Sequence, residues 1–431
     1  MSTLAGGLLQ RDHTITVPVD HANPARFGSI RLFAREVVDP SRDGEDLPLL
    51  LFLQGGPGGA GPRPAAGGWM ATATRTHRVI LLDQRGTGRS SAVTAATIGD
   101  LGDAASAADY LLCFRADAIV ADAEVLRRAV FGGRRWATLG QSYGGFITLT
   151  YPSRHPEAIT AAYVTGGLPG LQADASEVYR RTFELQAARN RELARRFPDD
   201  VAALGALADH VSEHNVALPT SERLTARRLQ LLGMSLGMST GVENLHWLLD
   251  TGVDHSPAGA RPTPALLAAI SHESGFAANP LYAVLQEVIY HQGERESGWA
   301  AQRELESRPE LHPDARPLQL TGEAIFPWMY TEIPGLRPFE AVAHELAART
   351  EYSPLYDLAA LARNEVPLAA VQYLDDPYVD IDLAQSTAAA VGNAQVWATN
   401  EYLHDGLRLA GETILPRLMD LAAGRWSVTT R

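Results

Sequence analysis

Gly140-Gln141-Ser142-Tyr143-Gly144 decides how this chain is read. The pattern is G-x-S-x-G, and its surroundings suit a sharp strand-to-helix turn. Upstream, Trp136-Ala137-Thr138-Leu139 is a short apolar run fit for a buried strand. Downstream, Gly145 to Tyr151 can start a helix that Pro152 is expected to disturb soon. A serine on such a turn is held in a strained backbone conformation, with its hydroxyl lifted above the sheet edge. Taken alone, the pentapeptide also fits a plain glycine-rich turn, so its context has to carry the reading.

That context alternates strand, loop and helix signals. His13 to Val19 alternates with period two, and Ser29 to Val38 reads as its partner in an opening antiparallel hairpin. Pro48 to Leu53 is continuously apolar, as in a strand buried on both faces, and runs into Gln54-Gly55-Gly56-Pro57-Gly58-Gly59. His77 to Asp83 is a second such run, ending in Gln84-Arg85-Gly86-Thr87-Gly88. Ala116 to Val130 has helical periodicity, and Ala161 to Thr165 is another short strand candidate. Helical patterns then dominate, for example Glu177 to Ala194 and Leu224 to Met238. Strand character returns at Val366 to Tyr373 and Ala394 to Thr399, before a closing helix over Leu407 to Ala423. The pattern predicts an α/β fold with a mostly parallel sheet flanked by helices. Its expected parts are core residues 1–169, a large helical cap at 170–360, and core residues 361–431.

Composition narrows the function. The chain has 431 residues, of which 45% are hydrophobic and 20% charged, enough for a substantial core. A formal net charge of −13 argues against nucleic acid as a partner. With one cysteine, Cys113, there is no intramolecular disulfide and no cysteine-based zinc site, and Cys113 reads as a packing residue rather than a nucleophile. Met1 to Gln10 has neither a basic region nor a long apolar run, so it does not read as a signal peptide. No stretch approaches the roughly 18 apolar residues that span a bilayer. A cytoplasmic protein without membrane attachment is the expectation.

A serine hydroxyl needs a base, and the base needs an orienting carboxylate. In this fold class the order is Ser, then Asp or Glu, then His, with the later two just past late strands. After Tyr373 comes Leu374-Asp375-Asp376-Pro377, and after Thr399 comes Asn400-Glu401-Tyr402-Leu403-His404. Order and position predict a triad of Ser142, Asp376 and His404. Asp375 is the rival acid, since a one-residue shift in strand end would exchange the two. The developing oxyanion calls for backbone N–H donors. Tyr143 should supply one, and Gly56 the other, with Gly55 as its alternative. This chemistry requires no metal and no organic cofactor.

These residues resemble the prolyl aminopeptidases, or proline iminopeptidases, serine peptidases of the α/β-hydrolase fold. The resemblance spans nearly the whole chain. The family's H-G-G-P-G run is represented by Gln54-Gly55-Gly56-Pro57-Gly58, its D-Q-R-G-x-G-x-S run by Asp83 to Ser90, and its G-x-S-[YW]-G-G run by Gly140 to Gly145. Phe114 to Asp117, and Thr399 to Arg408, resemble the longer-chain branch. Gln54 departs from the usual histidine, and the Asp83–Arg85 segment reads as structural. The resemblance implies release of an N-terminal residue, preferably proline, from peptides with a free N-terminus. It also implies cap carboxylates that bind the α-amino group by charge-assisted hydrogen bonds. Glu287, in an apolar helical stretch, and Glu323 are the candidates, and each also fits a solvated helix acid. Phe326, Trp328 and Tyr330 suit either a pocket for the proline ring or cap core. A tripeptidyl-type aminopeptidase or a small-ester or amide hydrolase would use the same triad, and a non-catalytic binding protein would have no need of it.

Overall fold

The computed structural model describes residues 2–256 and 259–428, and its frame is a nine-stranded sheet. Its strands are β1 (Ser2–Ala5), β2 (Leu8–Pro18), β3 (Ser29–Val38), β4 (Leu49–Leu53), β5 (Arg78–Asp83), β6 (Trp136–Gln141), β7 (Ile159–Thr165), β8 (Leu368–Tyr373) and β9 (Ala394–Thr399). They lie in the order β1-β2-β3-β5-β4-β6-β7-β8-β9. The pairings β1–β2, β2–β3 and β3–β5 are antiparallel, and the rest are parallel. The expected hairpin is therefore present but longer. β2 begins at Leu8, and β1, with Thr3 and Leu4 exposed, covers its outer edge over a stretch that lacks the alternation that marks a strand.

Alternation along β4 divides the packing between the two faces of the sheet. Leu49, Leu51 and Leu53 join Ile80, Leu82 and Phe146 on one face. Leu50 and Phe52 join Val79, Leu81, Val371 and Leu418 on the other. The helix α1 (Ala116–Phe131) buries Ile119, Val120 and Leu126 on the first face. The helix α2 (Tyr143–Arg154), which follows β6, is buried almost throughout. Pro152 does not cut it short: the proline sits in its last turn, and the helix runs on to Arg154.

Between β7 and β8 the chain contributes no strand to the large sheet among the described residues. This segment is mainly helical, with long helices at Ala175–Arg196 and Pro198–Glu213. The expected helix over Leu224 to Met238 is broken into a short helix, Ala226–Gln230, and a 3-10 turn, Leu231–Ser235. Gly233 and Gly237 lie within or just after that turn, and glycine is the weakest ordinary residue for continuing a helix. Packing divides the segment in two. Leu204, Leu207, Leu229, Leu245 and Leu266 form a separate apolar cluster, whereas Leu281, Ile325, Met329, Phe339 and Leu346 join the cluster on the first face of the sheet. Parallel register sets the C-terminal ends of β4, β6, β8 and β9 along one edge, with Leu53 opposite Gly140 and Tyr373 opposite Thr399. Among the described residues no helix is long and apolar enough to cross a membrane.

Candidate active site

Ser142 occupies the turn between β6 and α2 with φ 84° and ψ −120°, a conformation costly for a residue with a Cβ, by about 1–3 kcal/mol. Its neighbours hold it there. Ser142 N–H donates to the Thr165 carbonyl at 3.2 Å, and Gly145 N–H donates to the Ser142 carbonyl at 2.7 Å. Gly144 permits the approach of α2 to β4, because a Cβ there would lie 1.9 Å from the Leu53 carbonyl oxygen. The side chain of Ser142 is thereby aimed at the edge where β8 and β9 end.

Those strands deliver the other two groups. His404 Nε2 lies 2.8 Å from Ser142 Oγ, and His404 Nδ1 lies 2.8 Å from Asp376 Oδ2. A carboxylate only accepts, so Nδ1 carries the proton and Nε2 is left to accept from the serine hydroxyl. The other oxygen of Asp376 accepts from Tyr378 N–H at 2.9 Å and Val379 N–H at 3.3 Å. Asp375 is exposed, so the structure pairs Asp376, not its neighbour, with the ring. Burial on its own would depress the His404 imidazolium, but Asp376, with smaller help from Glu323 and Asp405, more than offsets it and leaves the pKa raised above 6.5.

Tyr143 begins α2, and the first N–H groups of a helix have no intrahelical acceptor. The Gly55–Gly56 loop lies against this turn: a Cβ on Gly55 would fall 2.8 Å from the Cβ of Ser142. The loop is braced from both sides. Gln84 Nε2 donates to the Gln54 carbonyl at 2.7 Å, and Asn279 Nδ2 reaches the Pro57 carbonyl at 3.4 Å.

The two candidate amino-group acids have different surroundings. Glu323 keeps some solvent access, accepts from Tyr282 Oη–H at 2.5 Å, and is close enough to His404 for each to shift the other. Burial raises its pKa, and His404 partly opposes the rise. Glu287 is already committed. Ala301 N–H donates to one oxygen at 2.9 Å, Ala300 N–H to the other at 3.1 Å, and the Ser297 hydroxyl adds a further bond. It thus closes the N-terminus of the helix Ala300–Glu306 from 13 residues away, and both of its oxygens are engaged. The sequence left Glu287 open between a buried amino-group acid and a solvated helix acid; it is buried, and backbone N–H groups satisfy it. Phe326 and Tyr330 are packed into the core shared with the sheet. Phe326 and Trp328 also edge a cavity of about 340 Å³ with Arg227, Arg308 and His312, and no triad residue lines it.

The Asp83–Arg85 segment is a brace. Arg85 makes a two-pronged contact to Asp122 at 2.7 and 2.5 Å and donates to the Val19 carbonyl at 2.6 Å, while Asp83 accepts from Gly61 N–H and Arg89 N–H. Cys113 is half-buried, donates to the Asp109 carbonyl at 3.4 Å, and has its thiol pushed up to about 11 by burial. Among the described residues no three His, Cys, Asp or Glu side chains converge as a metal site.

The profile of the alpha/beta hydrolase fold family matches residues 48–272. A proline iminopeptidase of Aeromonas sobria is 42% identical over 417 residues, covering 96% of this chain and 97% of that one. The proline iminopeptidase aneH of Aspergillus aculeatus is 34% identical over 421 residues, covering 95% of this chain and 92% of its own. A crystal structure of proline iminopeptidase from Mycobacterium smegmatis aligns with a TM-score of 0.42 at 15% identity, over 95% of this chain and 100% of that one.

Proposed function

The chain belongs to the proline iminopeptidase family of α/β hydrolases, and from that premise we propose that it is a serine exopeptidase releasing N-terminal proline from peptides. The observation that carries the reading is the unbroken relay from Ser142 Oγ through His404 to Asp376, 2.8 Å at each step, with Glu323 within electrostatic reach of the ring.

In this mechanism His404 Nε2 takes the hydroxyl proton as Ser142 Oγ attacks the scissile carbonyl. Asp376 fixes the ring tautomer and stabilises the imidazolium. The N–H groups of Tyr143 and Gly56 hold the oxyanion, an interaction typically worth about 3–4 kcal/mol per donor. His404 then protonates the departing peptide amine, leaving a prolyl ester on Ser142. Water, deprotonated by the same imidazole, hydrolyses that ester. Glu323 accepts from the substrate's charged amino group, so peptides with a free N-terminus are the partners. Glu287 is left to hold its own helix end. A reducing compartment such as the cytoplasm suits a chain with a single cysteine.

Hydrolysis of proline-β-naphthylamide by the protein and by Ser142→Ala tests the reading. Release of naphthylamine by the protein and its loss in the variant are expected, and equal rates would end the nucleophile assignment. Faster turnover of Ala-Ala-Pro- or simple ester substrates than of Pro- substrates would redirect the specificity to a tripeptidyl or esterase activity.

A further inference from the structure

The loops that carry the acid and the base are tied to a single turn of the segment between β7 and β8. This turn, residues 234–239, overlaps the end of the 3-10 turn Leu231–Ser235 and runs on past it. The Gly237 carbonyl accepts from the main-chain N–H of His404 at 3.1 Å. The Ser239 hydroxyl accepts from Leu403 N–H at 3.0 Å and donates to Asp405 Oδ1 at 2.7 Å, and Ser239 N–H donates to the same oxygen at 2.9 Å. On the acid's side, Gly237 N–H donates to Tyr378 Oη at 3.1 Å, and Tyr378 Oη–H donates to the Met234 carbonyl. The Tyr378 and His404 rings meet edge to face with centroids 4.8 Å apart. No side chain fits at position 237, where a Cβ would fall 2.3 Å from Tyr378 Cζ.

We infer that Ser239 and Asp405 are positioning residues for His404, and that the 234–239 turn sets the base and the acid in register with Ser142. The inference rests on the catalytic reading of Ser142 and His404 given above. The physical reason is economy of contact. His404 leaves β9 on a loop, and a loop anchored at one end lets an imidazole swing by more than the reaction tolerates, since displacements near 1 Å can cost about 100-fold. Here residues 403, 404 and 405 are each bonded to the same turn, so the ring has little freedom left. Asp405 is buried and also meets Arg408 Nη2 at 3.0 Å, and these bonds hold its carboxyl below the usual carboxylate range against the opposing effect of burial. Its charge therefore persists beside the ring. The charged groups facing His404 are Asp376 from the loop after β8, Glu323 from the intervening segment and Asp405 from its own loop. Those facing Asp405 are His404 and Arg408.

Steady-state kinetics on proline-β-naphthylamide, with thermal melts of each variant, test the inference. Ser239 is half-buried, so Ser239→Ala removes hydroxyl contacts without opening the core, and kcat should fall about 10-fold with KM little changed. Ser239→Thr, which keeps a hydroxyl, should restore most of kcat. Asp405→Asn should lower kcat and also move the acid limb of kcat/KM to lower pH, because one of the carboxylates favouring the imidazolium is gone. Ser239→Ala keeps that charge, so its limb should stay with the wild type. Gly237→Ala should lose the most, and if it does not fold, Ser239→Ala and Asp405→Asn decide. Folded variants with wild-type kcat, lowered melting temperatures with kcat intact, or an acid limb that does not move in Asp405→Asn would overturn the inference. Ser142→Ala run in parallel separates the two layers. An active Ser142→Ala overturns the catalytic reading itself, whereas an inactive one beside fully active Ser239→Ala and Asp405→Asn overturns the positioning role alone.

Discussion

The two halves of the segment between β7 and β8 are built differently. The half containing Leu281, Ile325, Met329 and Phe339 has no core of its own, because its apolar side chains complete the cluster on one face of the sheet. The half containing Leu204, Leu207, Leu245 and Leu266 closes around itself. Even its buried charges are paired internally, with Arg228 donating to Ser274 Oγ at 2.6 Å and to Glu222 at 3.3 Å. The fused half brings Glu323 and Tyr282 to the site on a foundation shared with Ser142. The self-contained half reaches the site through hydrogen bonds at the 234–239 turn, which are directional but individually worth only about 1 kcal/mol. Apolar fusion therefore fixes the side of the site that carries Glu323, and a polar latch joins the remaining half to His404.

Perturbing each part in turn should separate them. The largest effect belongs to neither half: Ser142→Ala should lower kcat by at least about 10⁴-fold without shifting the melting temperature, read by steady-state assay and calorimetry. Core truncations come next. Met329→Ala and Leu207→Ala should each cost about 2–5 kcal/mol locally. Hydrogen exchange should show that Met329→Ala loosens strands of the sheet, whereas Leu207→Ala loosens the helices at 198–213 and 241–252 and leaves β4 and β6 protected. Equal loosening of both regions would merge the halves into one cooperative unit. Glu323→Gln should reduce kcat/KM for free-amine substrates about 10- to 100-fold and leave substrates lacking that amine nearly unaffected. Glu287→Gln, changing a group already committed to a helix end, should act on stability instead.

The smallest expected effect is on pH dependence. The base must be neutral to take a proton, and the His404 pKa is raised, so kcat/KM should climb through a pKa above 6.5 as pH increases. Glu323→Gln removes a negative charge near the ring and should draw that limb downward. A limb at or below the ordinary imidazole value would show that burial outweighs the surrounding carboxylates.

The chain's order of elements and its nucleophile turn were legible from sequence because their signals are local. Leu49 to Leu53 is apolar without interruption, and Ser142 is framed by glycines that the packing of α2 on β4 demands. Position after a strand was enough to name Asp376 and His404, although only the geometry separates Asp376 from exposed Asp375. The illegible contacts are distant ones. Ser239 meets Asp405 across 166 residues of chain, and no pattern within either loop announces the other. Glu287 was conspicuous among apolar neighbours, but its partners are backbone N–H groups of Ala300 and Ala301, which a sequence cannot display. β1 was missed because it is an exposed edge, where no burial enforces a period of two.

The environment of Cys113 has a practical consequence. A lone thiol that scarcely ionises near neutral pH will react slowly with maleimide dyes, so cysteines newly placed on the surface become nearly the only attachment points. Trp247, 62% exposed on the self-contained half with its ring 4.7 Å from that of His246, and Leu409, 50% exposed on the closing helix, are surface positions outside the buried clusters. A donor–acceptor fluorophore pair at these two places would report, molecule by molecule, whether the latch at Ser239 opens while a peptide enters.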